Sequence, residues 1–297
     1  MSTEAFRDHQ PEQVTFAAAD GLRLAGDRWT PEGGVRGTAV LLHGGGQTRH
    51  SWRATARRLA HDGWTAITYD ARGHGDSEWA SDGNYSLTAF VDDLYAVIHT
   101  LPEPPALIGA SLGGMTSLVG EGERGIAQSL VLVDIAPRIE REGSERIRAF
   151  MTSAPNGFRS LQEAADAVHA YNPHRPRPSN LDGLTKNVRQ RDDGRWYWHW
   201  DPRFMRIGDE PARAEGDARL YRAARHITVP TLLVRGTESD IVSPEGVAEL
   251  LELIPSSQSV EVVAGHMVAG DDNDIFSRHL LGFLAAPAIP LTSRPAQ

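Results

Sequence analysis

The sequence has no cysteine among its 297 residues. Without cysteine the chain can form no disulfide bond, offers no thiolate nucleophile and binds no metal ion through sulfur. It also lacks a Gly-x-x-x-x-Gly-Lys phosphate-binding loop and the paired histidines of a zinc-hydrolase helix. These absences argue against nucleotide and metal chemistry, so we expect neither a cofactor nor a bound metal.

Long apolar runs and an excess of positive charge are missing as well. No stretch approaches the roughly 20 apolar residues that a membrane-spanning helix needs, and residues 1–7 lack the apolar core of a signal peptide. The formal net charge of -9 argues against nucleic acid or an anionic membrane as a partner, because both require a basic face. We therefore expect a cytoplasmic protein without membrane insertion. Whether it is a monomer or a homodimer is left open.

What the sequence does contain is an alternation of strand-like and helix-like segments. A hairpin is predicted at residues 13–29, with its turn at Asp20 and Gly21. Apolar runs typical of strands buried on both faces follow at 38–42, 64–70, 105–108, 129–135, 229–236 and 259–263. Helical spacing is found at 51–61, 87–101, 244–253 and 275–284. This pattern predicts an open, mostly parallel sheet with helices on both faces.

One segment, residues 137–225, interrupts the alternation. Strand-like apolar runs vanish there, the charge density rises and prolines cluster. Because the segment follows a strand, we predict an inserted helical cap over the carboxyl edge of the sheet, where ligands bind in such folds. The core domain would then comprise residues 11–136 and 226–285, with flexible tails at 1–10 and 286–297.

The most informative stretch is the Gly-x-Ser-x-Gly pattern at residues 109–113, between a predicted strand and a predicted helix. A sharp strand–turn–helix crowds the backbone at the serine, and a glycine two residues away on either side supplies the room. The turn lifts the Ser111 hydroxyl above the sheet edge, and the helix directs its first N–H groups at the reacting oxygen. We predict that Ser111 is a nucleophile; a purely structural serine is the alternative.

A serine hydroxyl needs a base to accept its proton and an acid to orient that base. His266 follows the last predicted strand and is the predicted base. Asp240 lies just past an earlier strand and is the predicted acid, which gives the chain order Ser, Asp, His expected for this elbow. Asp134 also lies at the end of a buried strand and is a second candidate for the acid.

Five motifs in this order make the chain resemble proteins of the α/β-hydrolase fold over roughly residues 14–284. They lie at 43–46, 70–77, 109–114, 236–240 and 265–266. The resemblance implies a mostly parallel eight-stranded sheet with helices on both faces and a helical cap insertion. It also implies that Ser111 is the nucleophile, that His266 is general base and then acid, and that Asp240 orients His266.

An oxyanion hole requires two backbone N–H groups that face the developing negative charge. One is predicted from Leu112, directly after the nucleophile. The other is predicted from the glycine loop, where Gly45, Gly46 and Gln47 remain alternatives. A glycine suits this place because its amide can approach the substrate without a side chain in the way.

The cap is predicted to determine substrate specificity. Trp196, Trp198 and Trp200 alternate and would face one way in an extended segment. The full set of predicted substrate-binding residues is Trp196, Trp198, Trp200, Met151, Phe158 and Met267, with Phe204 nearby. The alternative is that these aromatic side chains form the cap's own small core.

The serine also limits the reaction. Dehalogenases and epoxide hydrolases of the fold that the chain resembles use an aspartate nucleophile, whereas a serine indicates acyl transfer. We therefore predict hydrolysis of a small to medium, fairly apolar carboxylic ester or lactone through an acyl-enzyme. A C–C bond hydrolase or a cofactor-free perhydrolase with the same triad is an alternative. A non-catalytic protein that binds a small ligand on the same fold is the alternative from another class.

Overall fold

A computed structural model describes residues 10–171, 173, 181–206, 210–265 and 274–286. Apart from residues 10 and 286, the predicted tails lie outside this part of the chain. So do two predicted site residues, His266 and Met267. No helix within the described ranges is both long and apolar enough to cross a membrane.

In the described residues eight strands form one central sheet, and two more form a small separate hairpin. In chain order the strands are β1 (Glu12–Ala17), β2 (Arg23–Trp29), β3 (Gly37–Leu42), β4 (Trp64–Tyr69), β5 (Ala106–Ala110), β6 (Ser129–Val133), β7 (Val188–Gln190), β8 (Trp196–Trp198), β9 (Thr231–Gly236) and β10 (Ser257–Val262). The order across the large sheet is β1-β2-β4-β3-β5-β6-β9-β10. Of its strands only β2 runs against the rest. The predicted mostly parallel eight-stranded sheet is confirmed, together with the hairpin turn at Asp20 and Gly21.

Helices cover both faces of the sheet. They are α1 (Arg53–His61), α2 (Leu87–Ile98), α3 (Leu112–Arg124), α4 (Arg141–Met151), α5 (Leu161–Tyr171), α6 (Glu210–Ala224), α7 (Pro244–Leu253) and α8 (Asp274–Ala285). Side chains alternate along β3, so Val40 and Leu42 pack in one core with α2, α3, α6 and α7. Ala39 and Leu41 pack in the other core with α1 and α8. Burial on both faces explains why the strands are continuous apolar runs.

The segment between β6 and β9 is the one predicted to be an insertion. A third apolar cluster joins α4, α5 and the β7–β8 hairpin, and we call this part of the segment the cap. The last helix of the segment, α6, belongs instead to the main core, where Leu220, Ala223 and Ala224 pack with α2 and α3. Gly122 of α3 permits this approach, because a Cβ there would overlap the carbonyl oxygen of Ala223.

Candidate active site

Ser111 lies between β5 and α3 in a strained backbone conformation, with φ 47° and ψ -114°. A non-glycine residue with positive φ is uncommon and costs of order 1–3 kcal/mol. A Cβ at Gly109 would overlap the carbonyl oxygen of Gly113, and a Cβ at Gly113 would overlap that of Leu42. The two glycines therefore supply the room that the sequence pattern predicted. The Ser111 N–H donates to the Val133 carbonyl at 3.2 Å, which ties the elbow to β6.

The glycine loop that follows β3 lies directly against this serine. A Cβ built on Gly44 would come within 3.3 Å of the Ser111 Cβ. The loop is a tight turn, because the Gln47 N–H donates to the Gly44 carbonyl at 3.0 Å. The Gln47 side chain closes the same turn, since its Oε1 accepts from the Gly44 N–H at 2.9 Å.

Two backbone amides next to the serine remain available for an oxyanion. The Gly46 N–H is not one of them, because it donates to Nε2 of His74 at 3.1 Å, and the Gln47 N–H already serves the turn. For the Gly45 N–H no acceptor is found in the described part of the chain. The Leu112 N–H begins α3, and the first N–H groups of a helix have no acceptor within it. Of the alternatives predicted for the loop, Gly45 is the one whose N–H has no acceptor among the described residues.

Three buried histidines, His43, His74 and His199, form a cluster behind the glycine loop. Their ring centroids are 5.4 Å apart for His43 and His74 and 5.8 Å apart for His74 and His199. One nitrogen of each ring accepts a backbone N–H: Ala71 to His43 Nε2 at 2.9 Å, Gly46 to His74 Nε2 at 3.1 Å, and Gly75 to His199 Nδ1 at 2.7 Å. The other nitrogen of each ring lies next to a carbonyl oxygen. His43 is 2.8 Å from that of Gly44, His74 is 3.0 Å from that of Arg72, and His199 is 3.2 Å from that of Gly46.

These contacts fix the protonation of the histidine cluster. A ring nitrogen that accepts an N–H carries no proton, so the opposite nitrogen is the one that donates to the carbonyl. Burial lowers the pKa of all three rings: that of His43 falls, that of His199 falls well below 6.5, and that of His74 falls to about 3, helped by the neighbouring His43. With both nitrogens engaged, none of the three can accept a proton from the serine. Within the described ranges no three His, Asp or Glu side chains are placed to hold a metal ion.

Asp134 follows β6 directly and is fully buried. Its backbone also has a positive φ, 51°. The Gly236 N–H donates to Oδ1 of Asp134 at 3.0 Å, and the Ser239 hydroxyl donates to Oδ2 at 2.7 Å. The carboxylate is thus held in one orientation, in the position after the strand next to that of Ser111. Nothing in the sequence around Ser239 indicated that its hydroxyl would contact Asp134, which lies 105 positions earlier.

Asp240 is placed differently. Its carboxylate forms an ion pair with Arg146 of α4 at 3.2 Å, and its side chain is 28% exposed. The backbone of Asp240 also lies against α4, since a Cβ on Gly143 would overlap its carbonyl oxygen. The predicted acid therefore contacts the cap through both its backbone and its ion pair.

The cap covers the glycine loop with apolar side chains. A Cβ built on Gly46 would lie 3.0 Å from Met151 Cε and 3.3 Å from the Trp200 ring, and one on Gly45 would lie 3.4 Å from the Phe204 ring. Met151 and Trp200, two of the predicted substrate-binding residues, are therefore next to the loop. Their contact with a substrate stays a prediction.

The other predicted cap residues lie within the cap's own apolar cluster. Trp198 stacks on Trp200 with centroids 4.9 Å apart and an interplanar angle of 11°. Phe158 packs edge-on against Trp198 at 5.0 Å, and Trp196 is partly buried against the same cluster. The three tryptophans do share a side, as alternation predicted, and on that side they build the core of the cap.

Comparison with known proteins finds hydrolases among the relatives of this chain. The sequence model of the alpha/beta hydrolase family matches residues 39–278. The esterase Rv0045c of Mycobacterium tuberculosis is 32% identical over 270 residues, which cover 88% of this chain and 84% of that protein. The 3-hydroxybutyrate-oligomer hydrolase of Cupriavidus necator is 31% identical, over 81% of this chain and 85% of that protein. A crystal structure of the mycobacterial esterase, 30% identical, superposes with a TM-score of 0.71 and covers 93% of this chain and 92% of that one.

Proposed function

The chain belongs to the alpha/beta hydrolase family, and from that premise we propose that it is a serine hydrolase that cleaves a carboxylic ester or lactone. The observation that carries the proposal is the strained Ser111 elbow beside the unused amides of Gly45 and Leu112. The relatives named as an esterase and as a hydrolase of 3-hydroxybutyrate oligomers support an ester as the bond that is cleaved. The apolar cover of the glycine loop by Met151 and Trp200 supports a fairly apolar substrate.

In the proposed reaction the Ser111 hydroxyl attacks the carbonyl carbon while a base accepts its proton. The negative charge that develops on the carbonyl oxygen accepts hydrogen bonds from Gly45 and Leu112, each worth about 2.7–4 kcal/mol to the transition state. The protonated base then donates to the departing alcohol, and water releases the acyl group by the same steps in reverse. His266 is the proposed base, and the engagement of the histidine cluster with backbone groups supports this choice by removing its three members as rivals.

For the acid we favour Asp134 over Asp240. A residue that orients the base must itself be held, and a buried carboxylate is stable only when it is hydrogen-bonded. Asp134 satisfies both conditions through Gly236 and Ser239. Asp240 is partly exposed and paired with Arg146.

The serine is tested by fluorophosphonate labelling and by hydrolysis of p-nitrophenyl esters of increasing acyl length. We expect the wild type to be labelled and active, and Ser111→Ala to be neither, with an unchanged circular dichroism spectrum. A folded wild type that is not labelled and hydrolyses no ester in the series would refute the proposal. That outcome would favour the non-catalytic binding protein.

The acid is tested by comparing Asp134→Asn with Asp240→Asn, two variants that change charge at nearly constant volume. Loss of the true acid should lower kcat by about 10⁴-fold, whereas the other variant should stay within about threefold of the wild type. Thermal melting of both variants shows whether a loss reflects unfolding. If Asp240→Asn is the inactive variant, the acid is Asp240.

A further inference from the structure

We propose that His199, a residue of the cap, is a positioning residue for the oxyanion hole. The inference rests on the proposed function and adds a residue that the sequence pattern did not indicate. His199 follows β8 and is only 2% exposed. It reaches out of the cap to two loops of the core, the glycine loop after β3 and the turn after β4.

The His199 ring joins these two loops by two hydrogen bonds. Nδ1 accepts from the Gly75 N–H at 2.7 Å, and Nε2 lies 3.2 Å from the Gly46 carbonyl oxygen. Because Nδ1 accepts, Nε2 carries the proton and donates to Gly46. Neither nitrogen is left to exchange a proton with a substrate, so His199 can act on the reaction only through the backbone groups that it binds, and of these Gly46 belongs to the glycine loop.

Gly46 is held at both ends by the histidine cluster. Its N–H donates to His74 Nε2, and its carbonyl oxygen accepts from His199. It has a φ of 75° and is the third residue of the turn closed by Gly44 and Gln47, the position at which a type II turn requires positive φ. The two histidines therefore fix the turn in one of the conformations open to a glycine.

The conformation of this turn sets the direction of the Gly45 N–H. A peptide unit is planar, so the Gly45 N–H points opposite to the Gly44 carbonyl. That carbonyl accepts from the Gln47 N–H and lies 2.8 Å from His43 Nδ1. If Gly46 rotates, Gln47 moves with it, the Gly44 carbonyl loses the bond from Gln47, and the Gly45 N–H turns away from the oxyanion.

The cap presents His199 from a rigid segment. The Asp201 N–H donates to the Gly73 carbonyl at 2.9 Å, and the Asp201 carboxylate accepts from the Tyr85 hydroxyl at 2.7 Å. On the other side of His199, Trp200 is stacked within the cap's apolar cluster. The oxyanion loop thus has its full set of hydrogen bonds only when the cap is seated on the core.

Two substitutions separate the two bonds of His199. The amide nitrogen of a glutamine reaches the place of Nε2, so His199→Gln keeps the donor to Gly46 and loses the acceptor for Gly75. The amide oxygen of an asparagine reaches the place of Nδ1, so His199→Asn keeps the Gly75 bond and loses the donor to Gly46. We expect kcat of His199→Asn to fall about 10- to 100-fold at nearly constant KM, since a misplaced oxyanion donor weakens only the transition state. His199→Gln should stay within about threefold of the wild type.

Ser243→Ala is the control for lost stability, because it removes the hydrogen bond to Glu140 at the start of α4 and the N-cap bond of α7 without touching the glycine loop or the segment that carries His199. We expect it to lower Tm and to leave kcat unchanged. A trifluoromethyl ketone, whose adduct with the Ser111 hydroxyl carries an oxyanion, should lose affinity for His199→Asn by the same factor as kcat/KM and keep its affinity for Ser243→Ala.

Amide hydrogen exchange at residues 44–47 tests the loop without reference to hydrolysis. Exchange should be faster in His199→Asn than in His199→Gln and the wild type. Equal exchange in the two His199 variants would overturn the positioning role, as would equal losses of kcat. An inactive, unlabelled wild type with the expected exchange pattern would instead refute the serine-hydrolase proposal and leave the contact of His199 with the loop supported.

Discussion

Acid should destabilise this protein at a pH where its carboxylates are still ionised, and His74 is one cause. The pKa of the buried His74 ring is about 3 in the folded protein, against about 6.5 in an unfolded chain. Between these two pH values the His74 ring binds a proton in the unfolded state but not in the native state. The contribution of His74 to stability is therefore complete above pH 6.5 and is lost as the pH falls toward 3. At 1.36 kcal/mol per pH unit, the loss at pH 5 is about 2 kcal/mol from His74 alone.

Urea unfolding followed by tryptophan fluorescence measures this loss, since the chain has seven tryptophans. The free energy of unfolding is determined between pH 7.5 and pH 5 for the wild type and for His74→Gln, whose side-chain oxygen can accept the Gly46 N–H. The variant should be less stable at pH 7.5 by about 1–3 kcal/mol, because the buried Arg72 carbonyl loses its donor. The difference should then shrink by about 2 kcal/mol at pH 5.

Parallel pH profiles for the wild type and His74→Gln would refute this reasoning. They would mean that the native His74 ring titrates close to its ordinary pKa, and hence that Nε2 does not accept from Gly46. The lowered pKa values of His43 and His199 act in the same direction, so the wild-type slope sets only an upper limit for His74. The difference between the two profiles isolates the single residue.

Three further substitutions test the geometry around the nucleophile and the core. Gly44→Ala places a Cβ 3.3 Å from that of Ser111 and should lower kcat about tenfold with little change in Tm; Gly33→Ala, where a Cβ meets nothing within 4 Å, is its control in the same kinetic and melting assays. Gly113→Ala should yield no folded protein on expression, because its Cβ would overlap a backbone carbonyl of β3. Arg72→Met should lower the free energy of unfolding in urea by about 3–5 kcal/mol, since it leaves the carboxylate of Asp93 buried without its cation.

Elements whose signals are local could be predicted from the sequence. The predicted bounds of α7 agree with the structure because its start is fixed by neighbours in the chain. The Ser243 hydroxyl accepts from the Gly246 N–H at 3.2 Å, and Pro244 occupies the first turn. The elbow at Ser111 could be found for the same reason, since the glycines that make room for it lie two residues away.

Contacts between distant segments could not be predicted in this way. The strands β7 and β8 have three residues each, too few to show a period, and they form only because they pair with each other and join the cap core. His199 lies in an aromatic stretch that looks like core, and nothing in its neighbours indicates that it meets Gly46, 153 positions earlier. The choice between Gly45 and Gly46 depends on the same long-range contacts.

Backbone conformation distinguishes the two candidate acids. Asp134 and Asp240 both follow buried strands, and the sequence cannot rank them, because their partners Ser239 and Arg146 are about a hundred positions away. Within the part of the chain that the structure describes, Ser111 and Asp134 are the two non-glycine residues with positive φ. They come directly after β5 and β6, which are neighbours in the sheet. Each strained conformation costs of order 1–3 kcal/mol and persists only where its surroundings enforce it. Strain at two adjacent strand ends is expected if both residues serve one reaction, whereas Asp240, four residues beyond the end of β9, has neither the strain nor the burial.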